Sequence, residues 1–267
     1  MSQGACVRCD RIAARNQRET VVRRLASQLA GRNGYAHMYR LVGSLPLCGA
    51  CLAAMPVIEG QICEQCGRSL AAQGLDCERG TESSEQRCRD CRSPVVSALE
   101  GNRGLLRYDA WGKDLLGLYK YRGDERLAHF FGMLLALAMY RYFQPGQFDC
   151  LVAVPLHEKR LQERGFNQME RISQYLSRVT GVPVQHALIR TKDTPKLSKQ
   201  NGRDVRIQSM KDAFSWREED SGKRGEISCF LLLDDIYTTG STLRACAKAI
   251  QEAQTVKTYI WSLTIFR

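Results

Sequence analysis

Two adjacent carboxylates, Asp234 and Asp235, follow an apolar run and precede a hydroxyl-rich turn in the stretch LLLDDIYTTGST, Leu231 to Thr242. An ionised carboxylate only accepts hydrogen bonds, so two side by side suit the paired donors of a vicinal diol. Thr238, Thr239, Ser241 and Thr242 offer hydroxyl donors around Gly240, where the backbone can come close to an anion. A helix expected to begin near Leu243 adds its positive end. Acids on one side and donors on the other describe a ribose carrying a 5'-phosphate. The stretch has no Gly-Lys-Ser/Thr run and no three spaced glycines, so it is neither a Walker A loop nor a dinucleotide fingerprint. The competing reading is a strand end with an internally satisfied acid pair and a helix cap at Ser241 or Thr242.

A second chemistry lies ahead of it. Four Cys-x-x-Cys pairs, Cys6/Cys9, Cys48/Cys51, Cys63/Cys66 and Cys88/Cys91, account for eight of the 12 cysteines. Two intervening residues let a tight turn aim both sulfurs at one ion at about 2.3 Å, and two such turns complete a tetrahedral site. The simplest assignment is two structural Zn2+ sites: Cys6, Cys9, Cys48 and Cys51 for one, Cys63, Cys66, Cys88 and Cys91 for the other. Crossed pairing stays open, because the gap after Cys9 is long. Cys77 is spare, whereas Cys150, Cys229 and Cys246 fall in strand or helix patterns as small core residues.

These residues need elements to carry them. Residues 1–95 are polar and glycine-bearing, with too little apolar patterning to build a core without metal. The exception is Arg18 to Ala30, where Val21, Val22, Leu25 and Leu29 recur at helical spacing. Arg92 to Gly101 reads as a boundary. In residues 96–267 the buried strand runs LVAVPL (Leu151 to Leu156), CFLLLDD and TYIWSLTIFR alternate with helical stripes. One stripe is Phe166, Met169, Ile172, Leu176 and Val179; another is Leu243, Cys246, Ile250 and Ala253. Apolar strands alternating with amphipathic helices predict an α/β fold, a parallel sheet flanked by helices. Ligands bind such sheets beyond the carboxyl ends of the strands, where strand order reverses.

The whole chain has 267 residues, is 44% apolar and carries a formal charge of +11, which points to polyanionic partners: phosphorylated metabolites or nucleic acid. Its first residues, MSQGACVRCD, lack the charged head and apolar stretch of a secretory leader, so a cytoplasmic location is expected. The longest apolar stretch, Phe130 to Met139, is about half the roughly 20 residues of a membrane span and reads as a core helix, with no membrane insertion.

The run ending in DDIYTTGST resembles the phosphoribosyl pyrophosphate (PRPP) motif of type I phosphoribosyltransferases. VAVPLHEKRLQERGFNQ (Val152 to Gln168) and YKYRGDERLA (Tyr119 to Ala128) resemble the ComF/GntX family of competence-associated proteins, and the cysteine pairs match its double zinc ribbon. The resemblance implies a type I phosphoribosyltransferase-like domain over residues 96–267 behind a double zinc ribbon at 1–95. It implies that Asp234 and Asp235 hold the ribose hydroxyls, directly or through Mg2+, and that Thr238 to Thr242 hold the 5'-phosphate. Lys159, Arg160 and Arg164, in the loop after LVAVPL, would face pyrophosphate; as a bland alternative they are the solvated first turn of the Phe166 helix. Asn167 is expected to fix that loop. His157 reads equally as a ligand contact or a solvated side chain, and Tyr108, Trp111 and Tyr119 read as packing.

Thr191 to Phe214 is hydrophilic enough for a closing flap. It keeps Thr194, an arginine (Arg203 or Arg206) and Ala213-Phe214 of the family pattern. Leu197 and Ser209 stand near the positions where Gln and Asn are expected, a departure that puts the flap contacts in question and points to weak or altered catalysis. Three functions follow: PRPP-dependent transfer of phosphoribose to a base or amine, tied to competence or nucleotide salvage; a non-catalytic sensor of PRPP or a nucleotide monophosphate that engages single-stranded DNA and the DNA-uptake machinery; or a ribbon serving only to dock proteins. The acceptor is not legible, and the ribbon stands where the base-reading hood of such folds could be.

Overall fold

The computed structural model describes residues 5–11, 15–31, 33–71, 86–92, 97–122, 125–193, 210, 212–217 and 228–267. Cys77, Thr194, Leu197, Arg203, Arg206 and Ser209 lie outside them. Five strands form one all-parallel sheet in the order β1 (Leu99–Leu106), β7 (Tyr259–Phe266), β6 (Cys229–Ile236), β2 (Cys150–Ala153) and β3 (Val184–Gln185). A separate antiparallel ribbon pairs β4 (Leu188–Arg190) with β5 (Phe214–Trp216). Its register sets Arg190 opposite Phe214, so the segment between the two strands leaves and returns at one place.

The strand runs are apolar throughout because both faces are covered. Leu231 and Leu233 of β6, with Leu151 and Ala153 of β2, point into one core beside helices α5 (Glu125–Tyr142) and α7 (Gln168–Thr180). Phe230 and Leu232, with Cys150 and Val152, point into the other, beside helix α8 (Ser241–Ala253) and the ribbon. The central part of α5, Phe130 to Met139, is buried without interruption, as a helix wedged between a sheet and other helices must be. Among the described residues no helix is long and apolar enough to cross a membrane.

Helices α1 (Arg15–Leu29), α2 (Tyr35–Ser44) and α3 (Gly49–Ala53) precede the sheet. Val22, Leu25 and Leu29 form the buried stripe of α1 foreseen from sequence. Residues 1–95 have no separate core, as expected, yet they are richer in buried apolar residues than their patterning suggests. Met38, Val42, Leu45, Leu47 and Leu52 are all buried, in one core continuous with α5. Polar residues between them hide the periodicity, and the surface that covers them comes largely from another part of the chain. The connector at 55–58 then runs along the outer edge of β1: Ile58 N–H donates to the Leu105 carbonyl at 3.0 Å and Arg107 N–H to that of Pro56 at 2.8 Å. An open sheet edge is thereby covered. β1 itself starts inside the stretch expected as a boundary; its Gly101 and Gly104 weaken a strand pattern.

The loop expected after LVAVPL is a separate helix, α6 (Glu158–Arg164), closed by Gly165 in the left-handed region. His157 is its N-cap, Nδ1 accepting from Lys159 N–H at 3.3 Å. Buried Asn167 caps α7 in turn, its Oδ1 accepting from Met169 N–H at 3.0 Å. Helix α4 (Ala110–Arg122) connects β1 to α5.

Candidate phosphoribosyl site and paired cysteine clusters

From β2 the chain moves outward to β3, whereas from β6 it moves the other way to β7, so the strand order reverses between β2 and β6. The carboxyl ends of these neighbours frame the crevice of an open α/β sheet. Asp234 and Asp235 are the last acidic positions of β6 before the turn, and Thr238 to Gly240 lead straight into α8. Gly240 is the N-cap with φ 74°, and its side chain makes no cap because it has none. A Cβ there would run into the Tyr237 ring, so conformation and space both demand glycine. The cap expected at Ser241 or Thr242 is therefore displaced onto Gly240.

Thr239 Oγ1 and Ser241 Oγ lie 3.0 Å apart at the start of α8. Thr238 is exposed and Ser241 buried, while the Thr242 hydroxyl faces Met210 Sδ at 3.9 Å. The turn thus places hydroxyls and a helix N-terminus three to seven residues beyond Asp235.

The two acids differ sharply in environment. Lys120 of α4 forms an ion pair with Asp235, both side chains mostly buried at 24% and 18% exposed. Burial alone would lower the Lys120 ammonium; the neighbouring Asp235 outweighs it and holds the group above its ordinary value. Asp234 accepts a hydrogen bond from the Asp235 N–H at 2.8 Å. Burial first, then the Asp235 charge, pushes its carboxyl up to about 7. The pair is thus one carboxylate held in an ion pair and one carboxyl that titrates near neutrality. Arg190, at the end of β4, also acts on Asp234 by charge.

Sequence reasoning missed Lys120 and Arg190. Lys120 sits inside YKYRGDERLA, where its neighbours advertise helix packing. Tyr119 is buried and donates to the Gln168 carbonyl at 3.1 Å, which docks α4 on the RGFNQ segment. Trp111 is buried too, whereas Tyr108 is exposed and meets Phe266 edge-on at 5.7 Å. The basic residues expected at pyrophosphate divide. Arg164 donates to Gln168 Oε1 at 3.1 Å and acts by charge on Lys120, which brings it toward the acid pair. Arg160 acts on Arg190 in the same way. Lys159 is exposed and pairs with Asp193 at 3.3 Å, which His157 also approaches at 3.8 Å. A cavity of about 730 Å³ opens elsewhere, between α1, the 53–60 connector and the end of β1. Its lining, including Arg24, Gln28, Glu59, Arg107 and Asp109, shares no residue with the acid pair or the turn.

The eight paired cysteines gather in two groups, Cys6, Cys9, Cys48 and Cys51, and Cys63, Cys66, Cys88 and Cys91, with all sulfurs of a group within 4.8 Å of one another. Four thiolates at about 2.3 Å from one ion would stand roughly 3.8 Å apart along a tetrahedral edge. Cys9 and Cys48 sulfurs are 3.7 Å apart, Cys66 and Cys88 sulfurs 3.6 Å. Either group could hold zinc.

Both groups are built alike. After the first pair of each, one residue takes a left-handed conformation, Asp10 at φ 56° and Gly67 at φ 70°. The Cys6 N–H then closes on the Arg11 carbonyl and the Cys63 N–H on that of Arg68. The second pair lies at a helical turn, with Cys48 and Cys88 at its N-cap. Hydrogen bonds with Cys63 and Cys91, and then the Arg267 charge, hold the Cys66 thiol far below its ordinary value.

A parallel sheet with helices on both faces, an acid pair and hydroxyl turn where its strand order reverses, and two four-cysteine groups ahead of it define an α/β protein of the open parallel-sheet class with two candidate metal sites. The chain is 28% identical to competence protein ComFC of Bacillus subtilis over 211 residues, 77% of this chain and 78% of that protein. It is 28% identical to ComFC of Streptococcus pneumoniae, covering 80% and 86% of the two chains. With the DNA utilization protein YhgH of Escherichia coli K12 it shares 26% over 70% and 87%. Over most of its length the chain is thus similar to proteins named for competence and DNA utilization. No family model matches it. The glutamine PRPP amidotransferase of B. subtilis, solved with ADP and GMP, aligns over 51% of this chain and 25% of that one at 17% identity and a TM-score of 0.32, a likeness too loose to bear on the site.

Proposed function

We propose that the chain binds PRPP or a nucleotide monophosphate at the end of β6 and transfers phosphoribose from PRPP to a base or amine. One observation carries this reading: Asp234 and Asp235 share a strand end with the turn Thr238 to Thr242, beside β2 where the strand order reverses. In transfer, the bond from the anomeric carbon to pyrophosphate breaks, a bond from the acceptor nitrogen forms, and the acceptor proton departs. Asp234 and Asp235 accept from the ribose hydroxyls; the N-terminus of α8 with the Thr239 and Ser241 hydroxyls receives the 5'-phosphate. Arg164, Arg160 and Lys120 supply positive charge on the pyrophosphate side.

The oxygen donors of the acid pair suit Mg2+, which when bound neutralises pyrophosphate. The two cysteine groups take zinc as structural ions, and residues 1–95 and 96–267 act as ribbon module and transferase-like domain. The test is pyrophosphate release from Mg-PRPP with candidate bases, together with calorimetric binding of PRPP; Asp234→Asn is expected to reduce both. Unchanged binding by that variant would remove the ribose-site reading.

A second reading rests on Lys120. With Asp235 already ion-paired, the pocket recognises phosphoribose without turnover. The chain then senses the nucleotide while its basic surface, part of a net charge of +11, engages single-stranded DNA beside DNA-uptake machinery. The relatives named for competence and DNA utilization support a role in that process. Filter binding of single-stranded DNA at low salt, with no pyrophosphate release under any base, is the outcome this second reading expects.

A further inference from the structure

Two guanidinium groups stand behind the turn. Arg244 of α8 donates to the Thr239 carbonyl at 2.5 Å and to the Tyr237 hydroxyl at 3.4 Å. Arg267, one residue past β7, donates to the Tyr237 and Thr238 carbonyls, each at 3.5 Å, and lies over the Tyr237 ring at 4.8 Å. Three successive carbonyls are therefore drawn to one side. In a trans peptide the carbonyl and the following N–H point opposite ways, so the N–H groups of Thr238, Thr239 and Gly240 turn to the other side, as an anion-binding turn requires.

Arg267 also holds the second cysteine group. Its Nε donates to the Cys66 carbonyl at 2.7 Å and its Nη2 to Cys66 Sγ at 3.0 Å. The Cys66 carbonyl takes a further bond from buried Asn102 Nδ2 at 3.3 Å, which ties the same knuckle to β1. A planar guanidinium with donors in a rigid fork can span two partners at once, and a bond to a metal-bound thiolate is the usual way in which neighbours orient such a ligand.

We propose that Arg267 is a positioning residue that couples the group Cys63, Cys66, Cys88 and Cys91 to the anion affinity of the turn Tyr237 to Gly240. An ordered Cys66 holds the fork in place, and the fork holds the carbonyls back. When the group loses its ion, Cys66 moves, the guanidinium follows it, and the turn loses its preorganisation. The anion in question rests on the phosphoribosyl reading above; the coupling itself rests on the contacts of Arg267.

The test is a double-variant cycle on the full chain, with ribose 5-phosphate binding by calorimetry, zinc content by elemental analysis, and hydrogen exchange of the 237–242 amides. Arg267→Ala is expected to keep both zinc ions, weaken ribose 5-phosphate by about tenfold, as the loss of two modest hydrogen bonds would, and speed exchange in the turn. Cys91→Ser is expected to lose one zinc and weaken binding by a similar factor. The double variant should be no weaker than the worse single one, because coupled residues are not additive. Should Arg267→Ala fail to fold, Arg267→Lys, which keeps the charge but lacks the fork, carries the same expectation.

Additive losses, or an Arg267 variant with unchanged binding and exchange, would overturn the coupling. If wild type itself does not bind ribose 5-phosphate, the phosphoribosyl reading fails. The exchange rates of the two variants then still decide the coupling.

Discussion

Lys120 of α4 is ion-paired with Asp235 of β6, and the Asp235 N–H in turn donates to Asp234. The two neighbouring acids therefore have different partners. Asp235 is ion-paired to the ammonium, whereas Asp234 is raised by burial first and then by the Asp235 charge.

Removing the cation leaves an uncompensated, largely buried carboxylate. Lys120→Met is therefore expected to destabilise the chain by about 2–3 kcal/mol at pH 7.5, below the full cost of breaking a buried pair because both side chains keep some exposure. Urea denaturation at pH 7.5 reads the effect; an unchanged midpoint would show the pair to be incidental.

Asp234 makes a demand on pH. Its folded value, about 7, lies above its ordinary 3.8, so its protonated form is the one that the fold favours. Its contribution to stability is fully present below about 4 and is lost as pH rises through 7. Asp234→Asn removes that dependence. The melting temperature of the variant relative to wild type is expected to be higher at pH 8 than at pH 4.5, and a difference independent of pH would contradict the assignment.

Each cysteine group is complete with four sulfurs, so two zinc ions per purified chain are expected by elemental analysis. Cys63→Ser should reduce that to about one and lower the melting temperature, since ion binding contributes directly to the folding of such modules. Retention of two ions by this variant would show that the ligand set is different.

Gly240→Val combines a positive φ with a collision against Tyr237. A cost of about 1–3 kcal/mol in stability is expected, together with loss of ribose 5-phosphate binding. Gly146, which has open space and an ordinary φ, is the control: Gly146→Ala should leave binding unchanged.

Much of this was legible because the chemistry is contiguous along the chain. An apolar run ending in Asp234 and Asp235 must be a buried strand whose acids emerge at its end, and Gly240 marks a close backbone approach there. The Cys-x-x-Cys pairs likewise announced sulfurs that gather in groups of four, and the RGFNQ segment shows its cap in Asn167. Helix α6 was less legible, since a seven-residue charged helix has no apolar stripe to reveal it. The apolar residues of α2 and α3 were missed for a related reason: the surface they bury against, α5, lies far along the chain.

By itself the sequence determined the strand that bears the acids, the turn after it, the sulfur pairs and the alternation of strand and helix, because each is settled by residues within a few positions of one another. Only the tertiary structure decided which cations meet which acids, which pairs close into one group, and that Arg267 touches both a cysteine group and the turn. Those are meetings between elements remote in the chain. Packing of α4 on RGFNQ and of the 55–58 connector on β1 brings them together, and no local pattern encodes them.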